Sequence, residues 1–143
     1  MKTKFSYKGV HNCEAVVLCC IDFRFWRETL DFVEKELGIK SFDFPKLPGS
    51  AKAINEKSDL AMQCISVPCD LHHVKKVVIV NHQDCGAYGG SVKFNSDAKA
   101  EQEFHEGELK KARNIIAEKY PNKEIILVYV KLINENEMEF VII

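Results

Sequence analysis

Residues 15–20, AVVLCC, decide the fold class, because every side chain in this stretch is apolar. A strand that is apolar on both faces is typical of a parallel sheet covered by helices on both sides. Residues 23–39, FRFWRETLDFVEKELGI, then space their apolar side chains as an amphipathic helix does, and Gly38 suits its C-terminal cap. A buried strand followed by an amphipathic helix predicts an α/β protein.

The middle of the chain continues this alternation. KSFDFP at 40–45 predicts a short second strand, and Ser50 is placed to cap a helix over residues 51–66. Pro68 is expected to end or kink that helix near its close. KKVVIVNH at 75–82 is again apolar and predicts a third strand.

The last third of the chain completes the predicted sheet. A glycine-rich loop at 84–90 precedes a long helix over 98–120, and residues 123–132 predict a fourth strand. MEFVII at 138–143 predicts a terminal strand in a hairpin with the fourth. We therefore expect a mostly parallel four-stranded sheet flanked by helices, with a C-terminal antiparallel edge strand.

Composition limits the classes of function. A chain of 143 residues, 46% of them hydrophobic, suits one domain over 1–143. The net charge of −1 does not favour a nucleic-acid or membrane partner. No apolar run approaches the roughly 18 residues of a membrane span. Glu14 stands directly before the first apolar run, where a signal peptide has no place for it, and a cytoplasmic location is expected.

Polar and reactive side chains follow two of the predicted strands. Cys20, Asp22 and Arg24 alternate just after the first strand, and His82 and Cys85 close the third. Ligands of parallel sheets bind at the carboxyl ends of strands. The topology can therefore bring these five side chains together.

Two thiolates and one imidazole suit tetrahedral zinc with a fourth position open. Cys20, His82 and Cys85 offer that set, and zinc would lower the pKa of a bound water to about 7. Asp22, paired with Arg24, could orient that water or occupy the fourth position itself. Alternatives remain open from spacing alone: Cys20 could be a core cysteine, and Asp22 and Arg24 could form a surface ion pair.

Together, Cys20-Ile21-Asp22-Phe23-Arg24 and His82-Gln83-Asp84-Cys85-Gly86 resemble the C-x-D-x-R and H-x-x-C-G motifs of the beta-class carbonic anhydrases. The resemblance runs over roughly residues 13–90. It implies an enzyme that converts carbon dioxide reversibly to bicarbonate with hydroxide generated on one zinc ion per chain. It also implies a homodimer, or a larger oligomer built from dimers.

The same resemblance implies roles for individual residues. Cys20, His82 and Cys85 would be the zinc ligands, and Asp22 and Arg24 a catalytic pair that orients the water and gates the fourth position. The family usually has R-N-A-G after its second strand, where this chain has Lys46-Leu47-Pro48-Gly49.

That departure leaves other functions open. Hydrolysis of carbonyl sulfide or carbon disulfide would use the same zinc site, and a zinc-binding protein with little turnover would keep the ligands alone. A thiol-redox role for Cys19 and Cys20 is disfavoured, because adjacent cysteines form strained disulfides and no C-x-x-C is present.

The remaining cysteine, histidine and aromatic side chains have simpler interpretations. Cys13 and Cys19 are predicted to be structural thiols, and Cys64 and Cys69 to pack a helix rather than bind a second metal. His72, His73 and His105 are predicted to be solvated. Phe42, Phe44 and Tyr88 could line an apolar pocket, although core packing is the simpler interpretation for the two phenylalanines.

Overall fold

A computed structural model describes residues 1–5 and 9–143. Within them, five strands form one sheet in the order β2-β1-β3-β4-β5. The strands are β1 Ala15–Cys19, β2 Phe42–Asp43, β3 Lys76–His82, β4 Glu124–Asn134 and β5 Glu137–Ile142. The first four pair in parallel, and β5 runs antiparallel to β4. The predicted fold class, a mostly parallel four-stranded sheet with an antiparallel C-terminal edge strand, is confirmed.

Helices cover both faces of this sheet. They are α1 Trp26–Lys35, α2 Ala51–Asn55, α3 Asp59–Asp70 and α4 Ala98–Lys119, with short 3-10 helices at Gly86–Tyr88 and Ser91–Phe94. The core on one face contains side chains of α2, α3 and α4, and the core on the other contains those of α1. None of the helices in the described part of the chain is long and apolar enough to cross a membrane.

The alternation of side chains along β1 builds both cores. Val16 and Leu18 face α2, α3 and α4, whereas Ala15, Val17 and Cys19 face α1. Cys19 is therefore buried in the core, as predicted. The next residue, Cys20, lies just past the strand in a separate small cluster with Cys85 and Tyr88.

The helix predicted over residues 51–66 is instead two helices. Lys57 adopts a left-handed backbone with φ of 52° and ends α2. Its N–H donates to the Ile54 carbonyl, and the N–H of Ser58 donates to the Ala53 carbonyl, which is the Schellman pattern. The prediction was wrong because this cap normally signals itself with glycine, and here the residue is lysine. Pro68 lies inside α3, which ends two residues later at Asp70.

Ser50 does not cap α2 as predicted. Its hydroxyl is buried and donates to the Leu18 carbonyl over 3.1 Å, because a buried hydroxyl needs a partner and the end of β1 offers one. The second strand is also shorter than predicted, since only Phe42–Asp43 pairs with β1 as a strand. An isolated bridge between Cys19 and Lys46 continues the contact.

The charged helix α4 is not solvated along its whole length. His105 is 0% exposed and Glu101 is 1% exposed, so the predicted exposure of His105 is wrong. Leu109, Ala112 and Ile116 continue the same buried stripe. The sequence misled here because two polar residues occupy the N-terminal part of the stripe that packs on the sheet.

Candidate metal centre

Cys20, His82 and Cys85 meet at the carboxyl ends of β1 and β3. These strands are neighbours in register, with Cys19 opposite Val80, so the residues that follow them emerge side by side. One potential ligand atom from each of the three lies within 4.8 Å of the other two. The two sulfurs are 3.8 Å apart, and all three residues are buried. The structure thus brings together the three side chains that the sequence singled out.

The ring of His82 is fixed by two neighbours. Nδ1 lies 2.7 Å from the Gln83 carbonyl, which can only accept, so Nδ1 carries the proton. Phe25 stacks on the ring with 4.2 Å between centroids. Nε2 is buried and has no hydrogen-bond partner within the described residues. This nitrogen therefore has a free lone pair in a fixed orientation, as a metal ligand requires.

The two thiols have unequal tendencies to lose a proton. The Cys85 thiol can donate to Cys20, and this hydrogen bond lowers the pKa of Cys20. The pKa of Cys85 is raised because its proton is held by Cys20. The backbone N–H of Gly49 also donates to the Cys20 sulfur over 3.4 Å. One thiolate thus forms readily, and a dication would stabilise the second.

Asp22 and Arg24 form a two-pronged ion pair at the rim of this cluster. Arg24 donates from Nε to Oδ1 over 3.0 Å and from Nη2 to Oδ2 over 2.7 Å, and its backbone N–H donates to Oδ1. These hydrogen bonds hold the pKa of Asp22 below its usual value. Asp22 Oδ2 lies 4.0 Å from His82 Nε2. The carboxylate is therefore ionised and adjacent to the free imidazole nitrogen.

Arg24 also joins the two motifs to each other. Its Nη1 donates to the Asp84 carboxylate and its Nη2 to the Asp84 carbonyl, each over 3.0 Å. The N–H of Ser91 and the Arg24 guanidinium together lower the pKa of Asp84. Sequence reasoning did not assign a role to Asp84. Its place between His82 and Cys85 was the available signal.

A buried polar network behind the cluster was also missed. Glu101 accepts from the Asp84 N–H over 2.7 Å and from the Ser91 hydroxyl over 2.6 Å, which fixes the loop carrying Cys85. Asn81, next to His82, accepts from the Ala51 N–H and so donates to Nδ1 of His105 over 3.1 Å. Burial lowers the pKa of His105 to about 4, so its ring is neutral.

Lys46-Leu47-Pro48-Gly49 forms one wall of the cluster. Gly49 has φ of 72°, and a Cβ there would lie 2.9 Å from the Cβ of Lys52 and 3.1 Å from that of Ala87. Glycine is thus required at position 49, where the R-N-A-G motif also has glycine. Lys46 Nζ reaches the Asp22 carbonyl at 3.5 Å.

The other candidate side chains lie in or beside the two cores. Tyr88 is buried against Cys20 and Cys85, whereas Phe42 and Phe44 pack in the core on the α1 face. Cys69 is buried in the other core and Cys64 is half-buried. Within the described residues, Cys64 and Cys69 do not join a group that could hold a metal.

Comparison of the sequence identifies a family. Residues 10–142 match the sequence model of a family described as "Putative carbonic anhydrase". An "Uncharacterized protein" of Rickettsia bellii (strain RML369-C) is 34% identical over an alignment of 131 positions, which covers 86% of this chain and 79% of that protein.

Comparison of the fold gives related structures. Beta-carbonic anhydrase isoform I of Trichomonas vaginalis matches with a TM-score of 0.60 and 16% identity, over 99% of this chain and 88% of that chain. A structure from work on two tetrameric beta-carbonic anhydrases of Sordaria macrospora matches with a TM-score of 0.52 and 16% identity, over 93% and 82% of the two chains. Since residues 10–142 match the family model, the chain belongs to this carbonic anhydrase family, and its fold is that of the beta-carbonic anhydrases.

Proposed function

We propose that this chain is a zinc enzyme that interconverts carbon dioxide and bicarbonate, with one zinc ion held by Cys20, His82 and Cys85. The observation that carries the proposal is the buried Nε2 of His82, which lacks a hydrogen-bond partner in the described chain. Such a nitrogen costs free energy unless something binds it. Two neighbouring thiols, at least one of which ionises readily, complete a donor set suited to zinc.

Zinc, when bound, would supply a Lewis acid that brings the pKa of water to about 7. We assign Asp22 Oδ2 the role of accepting a hydrogen bond from the attacking water and orienting it toward carbon dioxide. The 4.0 Å separation of Oδ2 from His82 Nε2 supports this assignment. Arg24 holds both oxygens of Asp22, so we assign it the role of keeping that carboxylate away from the ligand position.

Metal content and hydration rate, measured on the same purified samples, test this proposal. We expect zinc and carbon dioxide hydration in the parent, and loss of this site's zinc with its hydration activity in Cys85→Ser. Cys64→Ser is the matched control, because this half-buried cysteine lies outside the cluster, and it should keep both.

Three outcomes would contradict the proposal. Parent protein without metal would remove the zinc assignment. The parent could also bind zinc that is lost in Cys85→Ser and yet show no hydration activity from about pH 6.5 to 9. That result would show a zinc-binding protein with little turnover. Release of sulfide from carbonyl sulfide in parallel assays would show the related hydrolase.

We also propose that the chain assembles as a homodimer through the surface beside this centre. Ile21 and Phe23 flank Asp22 and are 59% and 82% exposed. Large apolar side chains exposed together are typical of a surface covered by a partner. Light scattering at micromolar concentration should give the mass of a dimer or a multiple of it, and a single monomer peak would contradict the assignment. Phe23→Ser should shift the mass toward monomer, whereas Leu60→Ser, on α3, should not.

A further inference from the structure

A second group of metal-ligating side chains lies at the opposite end of the sheet. Cys13 Sγ is 3.5 Å from Oδ2 of Asp43, and Nδ1 of His72 is 2.7 Å from the same oxygen. One potential ligand atom from each of the three lies within 4.8 Å of the others. Cys13 precedes β1, whereas Cys20 follows it. The strand length therefore puts roughly 15–20 Å between this group and the candidate metal centre.

The backbone holds these three side chains in place. The N–H of Cys13 donates to the His72 carbonyl over 3.1 Å, which joins the segment before β1 to the loop after α3. Asp43 is fixed by the pairing of β2 with β1, in register with Val16. The three donors thus come from separate parts of the chain, and backbone hydrogen bonds and strand pairing hold them together.

The order of the groups argues against a thiol nucleophile. The carboxylate lies between the thiol and the imidazole, so it is the neighbour of both. A nucleophilic thiol needs a neighbouring positive charge that stabilises its thiolate, and here the thiol contacts a carboxyl group instead. Burial, and after it the Asp43 carboxylate, raises the pKa of Cys13. A thiolate at Cys13 would therefore need a positive charge in direct contact with its sulfur.

A dication would meet that requirement. Sulfur, imidazole nitrogen and carboxylate oxygen are all donors that zinc accepts, and a thiolate with a carboxylate would neutralise its charge. The three side chains line a cavity of about 200 Å³, and His11 lines the same cavity. A fourth donor is therefore available from His11 or from water.

We propose that Cys13, Asp43 and His72 bind a second divalent ion, zinc by the chemistry of the donors, at the amino end of the sheet. The ion replaces the hydrogen bonds that Asp43 makes to the other two side chains. It ties the segment before β1 to edge strand β2 and to the loop between α3 and β3. The site does not depend on the proposed function, because it shares no residue with the candidate metal centre.

Zinc stoichiometry of the full chain tests this proposal. The zinc bound per chain is measured by elemental analysis after equilibration with a chelator that competes for weakly held surface ions. We expect Cys13→Ser and His72→Ala each to bind one equivalent less than the parent. Cys64→Ser and His73→Ala are the matched controls, since they change a half-buried cysteine and an exposed histidine nearby in sequence, and both should bind as the parent does.

Cobalt substitution provides a second readout. The absorption band of cobalt bound to thiolate should lose intensity in Cys13→Ser and keep it in Cys64→Ser. If His72→Ala and Cys13→Ser both retain the zinc of the parent, the proposal is overturned. The test compares the zinc content of the parent with that of each variant. It therefore decides the second site whether or not Cys20, His82 and Cys85 bind zinc.

Discussion

The two clusters differ in burial, and burial decides what each can do without a metal. Cys20, His82 and Cys85 are at most 8% exposed, and the Nε2 of His82 has no partner among the described residues. The side chains of His72 and Asp43 are about one-third exposed and hydrogen-bond each other. The buried cluster thus leaves one ligand atom unpaired, whereas in the half-exposed cluster the carboxylate already accepts from both neighbours. Metal at the first should therefore matter more to the fold than metal at the second.

The largest expected effect is on stability in the presence of zinc. Cys85→Ser should lower the free energy of unfolding by about 4 kcal/mol or more when zinc is about a thousandfold above its dissociation constant. Cys13→Ser should cost about 1–2 kcal/mol, as expected for a weaker site. Denaturant unfolding of both variants at fixed free zinc measures the difference, with Cys64→Ser as control. Equal costs for the two variants would show that burial does not decide how much each metal contributes to stability.

Arg24→Ala should affect the rate without affecting the metal. Asp22 would lose the three side-chain hydrogen bonds that Arg24 donates to it and would be free to take the fourth ligand position. We expect carbon dioxide hydration to fall about 100-fold or more while zinc content stays at the parent level. Arg27→Ala, on the exposed side of α1, is the matched control and should hydrate as the parent does.

The pH dependence of the hydration rate separates the role of Asp22 from that of the water. Since Arg24 holds the pKa of Asp22 below its usual value, Asp22 stays ionised across the neutral range. We therefore expect the hydration rate to rise with pH through about 7 to 8, and we assign that rise to the ionisation of water at the metal. A parent profile that is flat from pH 6 to 9 would contradict the ionisation of water at the metal. An Arg24→Ala variant as fast as the parent would remove the catalytic role of the pair.

Much of the first cluster could be predicted from sequence, because its residues sit in two short motifs directly after apolar strands. The rules of parallel sheets then bring those strand ends together. The second cluster could not be predicted in this way. Cys13, Asp43 and His72 are single residues from three separate segments, and Asp43 faces His72 only because β2 is paired at the edge. Tertiary pairing, rather than spacing, creates that group.

In the fold, too, the features that depend on tertiary contacts could not be predicted from the sequence. Strands and the long helix followed from apolar runs and periodicity, but the break at Lys57 and the burial of His105 did not. His105 and Glu101 are polar residues on a buried stripe, and their hydrogen-bond partners, Asn81, Ser91 and Asp84, are distant in sequence. From sequence alone, this face of α4 was therefore predicted to be exposed to solvent.

The burial of His105 predicts that the free energy of unfolding decreases at acidic pH. The unfolded pKa is about 6.5 and the folded pKa is about 4, so the unfolded chain binds more protons between these values. Stability is therefore full above about pH 6.5 and falls by at most about 3 kcal/mol as the pH drops to 4. Unfolding free energies of parent and His105→Gln across this range measure the difference. The variant should have the shallower slope, and His73→Gln, at an exposed position, should follow the parent.

The smallest expected effect concerns two glycines that differ only in their surroundings. Gly49 and Gly38 both have left-handed backbones, with φ of 72° and 68°, so alanine costs about 1 kcal/mol in backbone strain at either position. At Gly38 a Cβ would meet nothing within 4 Å, whereas at Gly49 it would press on Lys52 and on Ala87, two residues past Cys85. Gly49→Ala should therefore cost about 1 kcal/mol more than Gly38→Ala and weaken zinc binding at the first cluster alone. Denaturant unfolding and zinc competition of the two variants measure both effects. Equal destabilisation with unchanged zinc affinity would show that the Gly49 wall does not support the Cys85 loop.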